Sequence, residues 1–439
     1  MVYNVVIGRN EKDHKDYGDL ATTLIGKQYI TMGNVISLGN NIMLDALRPH
    51  VVLIAGKRGS GKSYTMGVIA EGLASLEEET ANSITSLIID TMGIYWTMKN
   101  PNYKEADLLK QWNYQPTAFK NINVFVPKGT FEKVKEENVE MADYPFSISA
   151  NEISASDWCG IFGFSVNDEY GILINQVLEV LNEEKKTYDL NDIIENINSQ
   201  IAASDTIKEA VKERFQAAIR WGLFEKEGTK IEDLLMPGYI NILDISLYAH
   251  SFGEFSLRAL VIGLLSQKIL EIRTTQRRLE ELNEINSTEI TEEEKKKTIP
   301  IVWMFIDEVH EFLPANGKTA ASDSLSRVIK EGRQPGIGLV IATQQPGKLD
   351  TDIITQSDII ISQHVTAKLD IDALNTVMQT YMASDIRKYL MDLPRLPGAC
   401  IILDDNSERI YPVQIRPRFT WHGGETPKSI TNSKSINKR

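Results

Sequence analysis

The sequence predicts an α/β fold in which a central, largely parallel sheet is built around a phosphate-binding loop. Residues 51–68, VVLIAGKRGSGKSYTMGV, place a run of β-formers, a glycine-rich turn and a stretch with helical spacing in direct succession. The segment 301–306 is fully apolar, which is typical of a strand covered on both faces, and two more strands are predicted at 337–342 and 359–365. Stretches with apolar residues at i, i+3 and i+4 separate the predicted strands, which favours alternating strands and helices.

The N-terminal residues 1–48 are predicted to form a small β unit. The segments VYNVVIG, KQYITMG and NVISLG are rich in β-formers and are separated by Gly and Asn, which favour turns. We therefore expect short strands here, before the core that carries the phosphate-binding loop.

The middle of the chain is predicted to be a helical insertion in that core. From about residue 150 to 235, successive segments show apolar helical repeats, and Ser or Asp precedes several of them as a candidate cap. The strand-like segment GYINILDIS at 238–246 then returns the chain to the sheet. The predicted division is a β unit at 1–48, a first core part at 49–135, the insertion at 136–236, a second core part at 237–425 and a flexible tail at 426–439.

The composition is that of a globular protein in a reducing compartment. Of 439 residues, 42% are hydrophobic and 24% are charged, and the two cysteines form no CxxC pair. No apolar run approaches the roughly 18 residues of a membrane span, and the N-terminus lacks a signal-peptide core. We therefore expect a cytoplasmic protein without a membrane partner. The net charge of −13 argues mildly against a nucleic-acid coat, although a ring can be acidic outside and basic along a channel.

The segment GKRGSGKS at 56–63 fits the pattern G-x-x-x-x-G-K-[ST] in the strand–turn–helix setting that this motif requires. Glycines let successive backbone N–H groups point at phosphate oxygens, and the helix adds the positive end of its dipole. We expect Lys62 to reach the β and γ phosphates of ATP and the Ser63 hydroxyl to bind Mg²⁺. The predicted nucleotide-binding residues are Gly56, Lys57, Arg58, Gly59, Ser60, Gly61, Lys62, Ser63 and Tyr64.

The apolar segment 302–306 ends in Asp307 and Glu308, which places two carboxylates at a strand tip. We expect this strand to lie next to the strand of the phosphate-binding loop. Asp307 is predicted to hold Mg²⁺ through water, and Glu308 is predicted to polarise the attacking water. A buried strand that ends in solvated acids is the alternative.

Three further positions have both a chemical and a structural interpretation. Gln344, with Thr343, follows the strand at 338–342 and could orient water or contact the γ-phosphate, or else cap a turn. Arg333 follows Arg327 and Lys330 at helical spacing, so it could reach a phosphate in a neighbouring subunit or belong to a solvated helix face.

Asp90 ends the predicted strand at 86–90. It could face a ligand crevice at the carboxyl end of the sheet or act as a plain cap or turn residue, and the sequence does not separate these two roles.

Four segments together resemble a HerA-type ATPase of the HerA/FtsK superfamily. They are the phosphate-binding loop, FIDEVHEF at 305–312, EGRQPGIGLVIATQQP at 331–346, and IRPR at 415–418 with HGG at 422–424. The resemblance covers residues 45–424. It implies a RecA-like core with a helical insertion and a small N-terminal β-barrel, of which the strands in 1–48 resemble a reduced version.

The same resemblance implies roles and partners. Lys62 and Ser63 match the Walker A motif, Asp307 and Glu308 the Walker B motif, Arg333 the finger that acts in trans, and Gln344 the sensor. Family members are hexamers that move double-stranded DNA with ATP, or ATPase partners of a nuclease (NurA-like) or another effector. The chain departs from the family in the cations Lys57 and Arg58 and in its short N-terminal unit. A further family arginine before the loop has only Arg48 as a candidate match.

Three functions are compatible with the sequence. The leading prediction is a hexameric ATPase, with ATP and Mg²⁺ as its cofactors, that pulls double-stranded DNA through its pore in repair, end processing or anti-phage defence. A second is an ATPase ring that serves mainly as an assembly platform for an effector enzyme. A third is a monomeric metabolic kinase, against which an arginine acting in trans argues.

Overall fold

The structure is a computed structural model that describes residues 3–32, 35–185, 187–200, 203–248, 257–286, 298–378 and 386–424. The strands are β1 (Asn4–Ile7), β2 (Thr22–Met32), β3 (Val35–Asp45), β4 (Val51–Ala55), β5 (Ile84–Asp90), β6 (Ile122–Pro127), β7 (Tyr144–Phe146), β8 (Ile148–Ser149), β9 (Phe224–Glu225), β10 (Ile240–Asp244), β11 (Ile301–Ile306), β12 (Ile337–Thr343), β13 (Ile359–Ser362), β14 (Ala399–Asp404) and β15 (Arg409–Ile415).

The helices alternate with these strands along most of the chain. They are α1 (Glu11–Tyr17), α2 (Lys62–Ala74), α3 (Glu78–Asn82), α4 (Ala106–Gln111), α5 (Lys128–Glu137), α6 (Ala155–Phe162), α7 (Glu169–Glu184), α8 (Leu190–Ser199), α9 (Asp205–Ile219), α10 (Ile231–Leu234), α11 (Leu257–Asn286), α12 (Ser322–Glu331), α13 (Thr351–Thr355), α14 (Lys368–Met378) and α15 (Ile386–Asp392).

Within the described residues, one sheet holds all strands except the short β8–β9 pair. Its order is β1-β3-β2-β15-β14-β13-β4-β12-β11-β5-β10-β6-β7. All neighbours from β13 to β7 pair in parallel, whereas β14, β15 and β2 add antiparallel pairs at one side. The predicted α/β class with a largely parallel central sheet is therefore confirmed.

The expectation that the acidic strand lies next to the strand of the phosphate-binding loop is wrong. Strand β12 lies between them, because it pairs with β11 through Val302 and Ile337 on one side and with β4 through Val51 and Leu339 on the other. The chain leaves β11, forms α12 and returns into the gap between β11 and β4. Three parallel strands, rather than two, therefore bring polar tips to one edge.

Apolar side chains cover both faces of the parallel part of the sheet. In β11, Trp303 and Phe305 pack into the cluster that contains α2, and Met304 and Ile306 pack into the cluster that contains α11, α12 and the helices of residues 155–234. All four side chains are fully buried. Burial on both faces explains why this strand is apolar without alternation.

The N-terminal segment continues the central sheet. Strand β2 pairs antiparallel with β15 between Gly26 and Ile415, and β3 and β1 follow outward. The segment also contains α1, which begins after the cap Asn10 and which the β-only prediction missed. The described strands thus extend one edge of the sheet, and the predicted division of the chain into domains stays a prediction.

The insertion lies on the face of the sheet that also carries α11. Its helices α6 and α8 begin with capping boxes at Ser154 and Asp189, in line with the predicted Ser and Asp caps. The predicted tail at 426–439 lies outside the described residues. In the part of the chain that is described, no helix has both the length and the apolar content needed to cross a bilayer.

Candidate nucleotide-binding site

The loop between β4 and α2 has the backbone shape that a phosphate cradle requires. Gly59 and Gly61 have φ values of 76° and 110°, a region that favours glycine. A Cβ atom at Gly56 would lie 2.5 Å from Oγ of Ser60, so a side chain there would collide with the loop. The helix α2 begins at Lys62, which directs its free N–H groups at the loop.

The two predicted halves of the site are in contact. Oγ of Ser63 donates a hydrogen bond to Oδ2 of Asp307 over 2.5 Å, although the two residues are 244 positions apart. Lys62 is 5% exposed. Burial lowers the pKa of its ammonium group, and the charges of Glu308 and Asp307 oppose that shift. A cation and two carboxylates therefore meet at the start of α2.

Glu308 has an unusual backbone and an incompletely used carboxylate. Its φ of 50° is in the left-handed region, which is uncommon for a side chain of this size. Oε1 accepts a hydrogen bond from Nε2 of Gln344, while Oε2 is buried without a hydrogen-bond partner among the described residues. Oε2 lies 3.4 Å from Nδ1 of His310. Burial, followed by the charge of Asp307, raises the pKa of Glu308, as suits a general base.

The donor set at this point fits Mg²⁺. Ser63 and Asp307 offer a hydroxyl and a carboxylate oxygen, the oxygen ligands that this ion prefers. Oδ1 of Asp307 accepts the N–H of Glu308 over 2.8 Å, which orients Oδ2 toward Ser63.

The other predicted loop residues differ in their surroundings. Lys57 and Arg58 are exposed, and the N–H of Lys57 donates to the carbonyl of His364 over 2.9 Å. The hydroxyl of Tyr64 donates to Oε2 of Glu105 over 2.6 Å and accepts the N–H of Arg418 over 2.7 Å. Tyr64 therefore joins the first turn of α2 to the C-terminal segment after β15.

Arg333 is not brought to this site within the chain. It precedes β12, whose opposite end at Thr343 lies beside the loop, and β12 spans seven residues, which separates Arg333 from the loop by about 20 Å. Its nearest carboxylate is Asp358, 3.8 Å away. Arg327 and Lys330 pair with Glu331 and Asp352, so these two cations form solvated surface pairs.

Arg48 also has a local partner. Its guanidinium donates to both oxygens of Asp13, a residue of α1. This pairing assigns Arg48 a contact on the surface of the N-terminal segment, away from the loop between β4 and α2.

Asp90 has the capping role that the sequence left open. Its carboxylate is fully buried and accepts the N–H groups of Met92, Gly93, Ile94 and Tyr95. Burial and the neighbouring charge of Asp244 raise the pKa of Asp90 to about 7. These bonds fix the turn after β5.

Sequence reasoning missed two residues at this edge of the sheet. Gln363 directly follows β13 and bonds both Ser60 and Thr65, and Nδ1 of His310 lies 3.2 Å from Oγ1 of Thr343. The predicted strand at 359–365 contains Gln363, whereas β13 ends at Ser362, so the position of Gln363 at a strand tip was not predicted. Its importance depends on β13 being the neighbour of β4, which the sequence does not reveal.

Relatives with established names match most of this chain. The DNA double-strand break repair helicase HerA of Pyrococcus furiosus is 24% identical over 393 residues, which are 84% of this chain and 66% of the relative. The protein of the same name from Sulfurisphaera tokodaii is 24% identical over 351 residues, 76% of this chain and 59% of the relative. The chain thus spans about three-fifths to two-thirds of the length of these relatives.

A solved structure and a family model also match. The structure of VirB4 of Thermoanaerobacter pseudethanolicus aligns with a TM-score of 0.49 and 9% identity, covering 90% of this chain and 96% of that chain. The family model described as Helicase HerA, central domain, matches residues 30–269. Because this match covers more than half of the chain, the chain belongs to the family of the HerA helicase central domain.

Proposed function

We propose that this chain is the RecA-like ATPase core of a hexameric cytoplasmic motor that hydrolyses ATP to move double-stranded DNA. The observation that carries the proposal is the contact between Ser63 and Asp307, because it joins a phosphate-binding loop to an acidic strand tip. Membership of the HerA central-domain family supports the choice of a motor. The names of the two relatives, DNA double-strand break repair helicases, support DNA as the substrate.

The residues at the site have complementary roles in hydrolysis. Loop N–H groups and the ammonium of Lys62 bind the phosphates of ATP. Ser63, and Asp307 through water, would hold Mg²⁺, which would supply positive charge beside the β and γ phosphates. Glu308 accepts the proton of the attacking water, and Gln344 fixes the Glu308 carboxylate and senses the γ-phosphate. Arg333 of a neighbouring subunit stabilises the charge of the transition state.

The partner of the ring is proposed from the same family relationship. We place the motor with a NurA-like nuclease or another effector, in DNA end processing or anti-phage defence. The net charge of −13 favours a second candidate, a ring that acts mainly as an assembly platform for the effector. Affinity purification from the native host identifies the effector, and translocation assays separate the two candidates.

The test is ATP turnover by the full chain with and without linear double-stranded DNA, together with displacement of a protein roadblock from that DNA. We expect DNA to stimulate turnover and the roadblock to be displaced. Lys62→Ala should abolish both because it removes the cation that binds the phosphates. Mass measurement with a non-hydrolysable ATP analogue and DNA should report six subunits. ATP turnover that DNA does not change, with no roadblock displaced, would overturn the motor.

A further inference from the structure

The side chain of Gln363 spans the phosphate-binding loop and the helix that follows it. Gln363 is fully buried, directly after β13. Its Oε1 accepts a hydrogen bond from Oγ of Ser60 over 2.8 Å, and its Nε2 donates to Oγ1 of Thr65 over 2.8 Å. One amide therefore contacts the loop with its oxygen and the first turn of α2 with its nitrogen.

The hydrogen bonds run in one direction, which fixes the orientation of the amide. Oγ1 of Thr65 donates to the carbonyl of Gly61 over 3.1 Å, so this hydroxyl must accept from Nε2 of Gln363. The hydroxyl of Ser60 then donates to Oε1 of Gln363. The series of hydrogen bonds from Ser60 through Gln363 and Thr65 to Gly61 starts and ends in the loop. Both Oε1 and Nε2 of the buried amide have a hydrogen-bond partner in this series.

Packing and backbone bonds place the same residue against the loop. A Cβ atom at Gly56 would lie 3.0 Å from Cβ of Gln363, and one at Gly61 would lie 3.5 Å from its Nε2. The N–H of Gln363 donates to the carbonyl of Ala55 over 2.8 Å, and the carbonyl of His364 accepts the N–H of Lys57 over 2.9 Å. The end of β13 thus supports the loop on the side away from Asp307.

We propose that Gln363 is a positioning residue that holds the phosphate-binding loop in the shape that receives the nucleotide. In this proposal the loop motif at 56–63 is completed by a side chain 303 positions from Ser60. A loop that is ordered before binding loses less conformational freedom when phosphate arrives. Removing the amide should therefore weaken nucleotide binding. The inference rests on the proposed nucleotide site and not on DNA movement.

The position of Gln363 predicts a separation of binding from turnover. None of its hydrogen bonds reaches Asp307, Glu308 or Gln344, which lie at the tips of β11 and β12. Gln363→Leu keeps the approximate volume and removes both side-chain bonds. We expect it to raise the Kd of a fluorescent ATP analogue about tenfold, the effect of losing one to two buried hydrogen bonds. The KM for ATP should rise in parallel, and kcat at saturating ATP should stay within about twofold, because uniform binding is lost.

The matched control is Gln267→Leu, which removes an exposed amide on α11 that bonds Glu271. We expect this control to keep the wild-type Kd and kcat. A Kd for Gln363→Leu within twofold of wild type would overturn the proposal. A loss confined to kcat would also overturn it, because positioning of the loop acts on binding.

A double-mutant cycle distinguishes positioning from a general loss of packing. If Gln363 acts through the hydroxyl of Ser60, the increase in Kd for Ser60→Ala with Gln363→Leu should be smaller than the product of the two single effects. Independent effects on Kd would overturn the proposed series. Should Gln363→Leu not fold, Thr65→Val tests the other end, since it removes the acceptor of Nε2. An unchanged Kd in Thr65→Val then counts against the proposal.

These binding measurements need no DNA, so they test the role of Gln363 independently of the proposed movement of DNA. Wild-type chain that does not bind the ATP analogue would overturn the proposed nucleotide site itself. If the wild-type chain binds the ATP analogue but DNA does not stimulate its turnover, the proposed motor function is overturned. The double-mutant cycle then still decides the role of Gln363.

Discussion

Glu308 is the residue whose geometry is hardest to explain by folding alone. A left-handed backbone conformation and a buried carboxylate oxygen without a hydrogen-bond partner among the described residues both cost free energy, and such features concentrate at functional sites. The strain turns the side chain from the tip of β11 toward Gln344 and Lys62. This arrangement is what a general base beside a phosphate cradle requires.

Glu308→Gln tests that assignment. The amide cannot accept the proton of the attacking water, so we expect kcat to fall by at least about 100-fold, while the Kd for ATP changes little. The measurement is single-turnover hydrolysis alongside binding of an ATP analogue. Glu311→Gln, three positions later and paired with Arg258 on the surface, is the control and should retain turnover. Rapid hydrolysis by Glu308→Gln would mean that another group is the base.

His50 forms a buried charged cluster at the amino ends of strands β4 and β13, opposite the sheet edge that carries Glu308. Its Nδ1 lies 2.5 Å from Oδ2 of Asp358 and its Nε2 lies 3.0 Å from Oδ2 of Asp45, while Arg9 also pairs with Asp45. Burial alone would lower the pKa of His50, but the hydrogen bonds and charges of Asp358 and Asp45 outweigh it and raise the pKa to about 9. The cluster ties the N-terminal segment to the strands β4 and β13.

The raised pKa of His50 predicts a loss of stability in alkali. The folded pKa of about 9 lies above the ordinary value of 6.5, so the contribution is fully present below pH 6.5 and disappears as the pH rises through 9. At 1.36 kcal/mol per pH unit, the free energy of unfolding should fall by up to about 3 kcal/mol. Urea unfolding between pH 6 and about 10 measures it, with His50→Asn as the reference for all other titrating groups. Equal slopes in both proteins would contradict the assignment.

At the scale of elements, helix α2 is anchored by buried hydrogen bonds and ion pairs to the segment that follows β15. Glu71 of α2 is fully buried and accepts hydrogen bonds from Arg416 and Arg418, each over 3.1 Å. It also accepts the N–H groups of Phe419 and Thr420 over 3.0 Å. Burial alone would raise the pKa of Glu71, but the charges of Arg418 and Arg416 outweigh it and lower the pKa. The helix that carries Lys62 is thus anchored by an ionised carboxylate.

Glu71→Gln should be strongly destabilising because it leaves Arg416 and Arg418 buried without their anion. Breaking a buried ion pair from one side costs about 3 to 5 kcal/mol. We expect a fall of that size in the free energy of unfolding, measured by urea denaturation. Glu132→Gln, on the exposed surface of α5, is the matched control and should change stability by less than about 0.5 kcal/mol. Equal stability of the two variants would show that the network contributes little.

The sequence predicts elements better than their arrangement. Strand β11 has the predicted limits of 301–306, because a run of apolar residues is a local signal. Helix α1 was missed, since its seven residues EKDHKDY carry no apolar repeat. The insertion of β12 between β4 and β11, and the contact of Gln363 with the loop, were not predictable, because both depend on which distant strands pair. Ser63 and Asp307 are in contact, as two motifs that share an ion would require, and their roles toward that ion stay predictions.

At the scale of the whole molecule, the sheet separates two edges that carry predicted site residues. Its carboxyl edge carries Lys62, Asp307 and Glu308, and its other edge carries Arg333 beside Asp358. The separation of about 20 Å along β12 means that Arg333 cannot serve the nucleotide site of its own chain. It can act on ATP only if a neighbouring subunit places its carboxyl edge against this one, as in a closed ring with head-to-tail contacts.

Mixing two inactive variants tests this arrangement directly. Glu308→Gln subunits lack the base but keep Arg333, and Arg333→Ala subunits keep the base but lack the arginine. Where a Glu308→Gln subunit supplies Arg333 to the site of an Arg333→Ala neighbour, that site is complete. Mixed rings should therefore recover ATP turnover that neither variant shows alone. Glu308→Gln mixed with Lys62→Ala is the control, because Lys62 and Glu308 belong to one chain's site. We expect no recovery of ATP turnover in that control, because every site in the mixed ring lacks either Lys62 or Glu308. A mixture of Glu308→Gln and Arg333→Ala that stays inactive at every ratio would restrict Arg333 to its contact with Asp358.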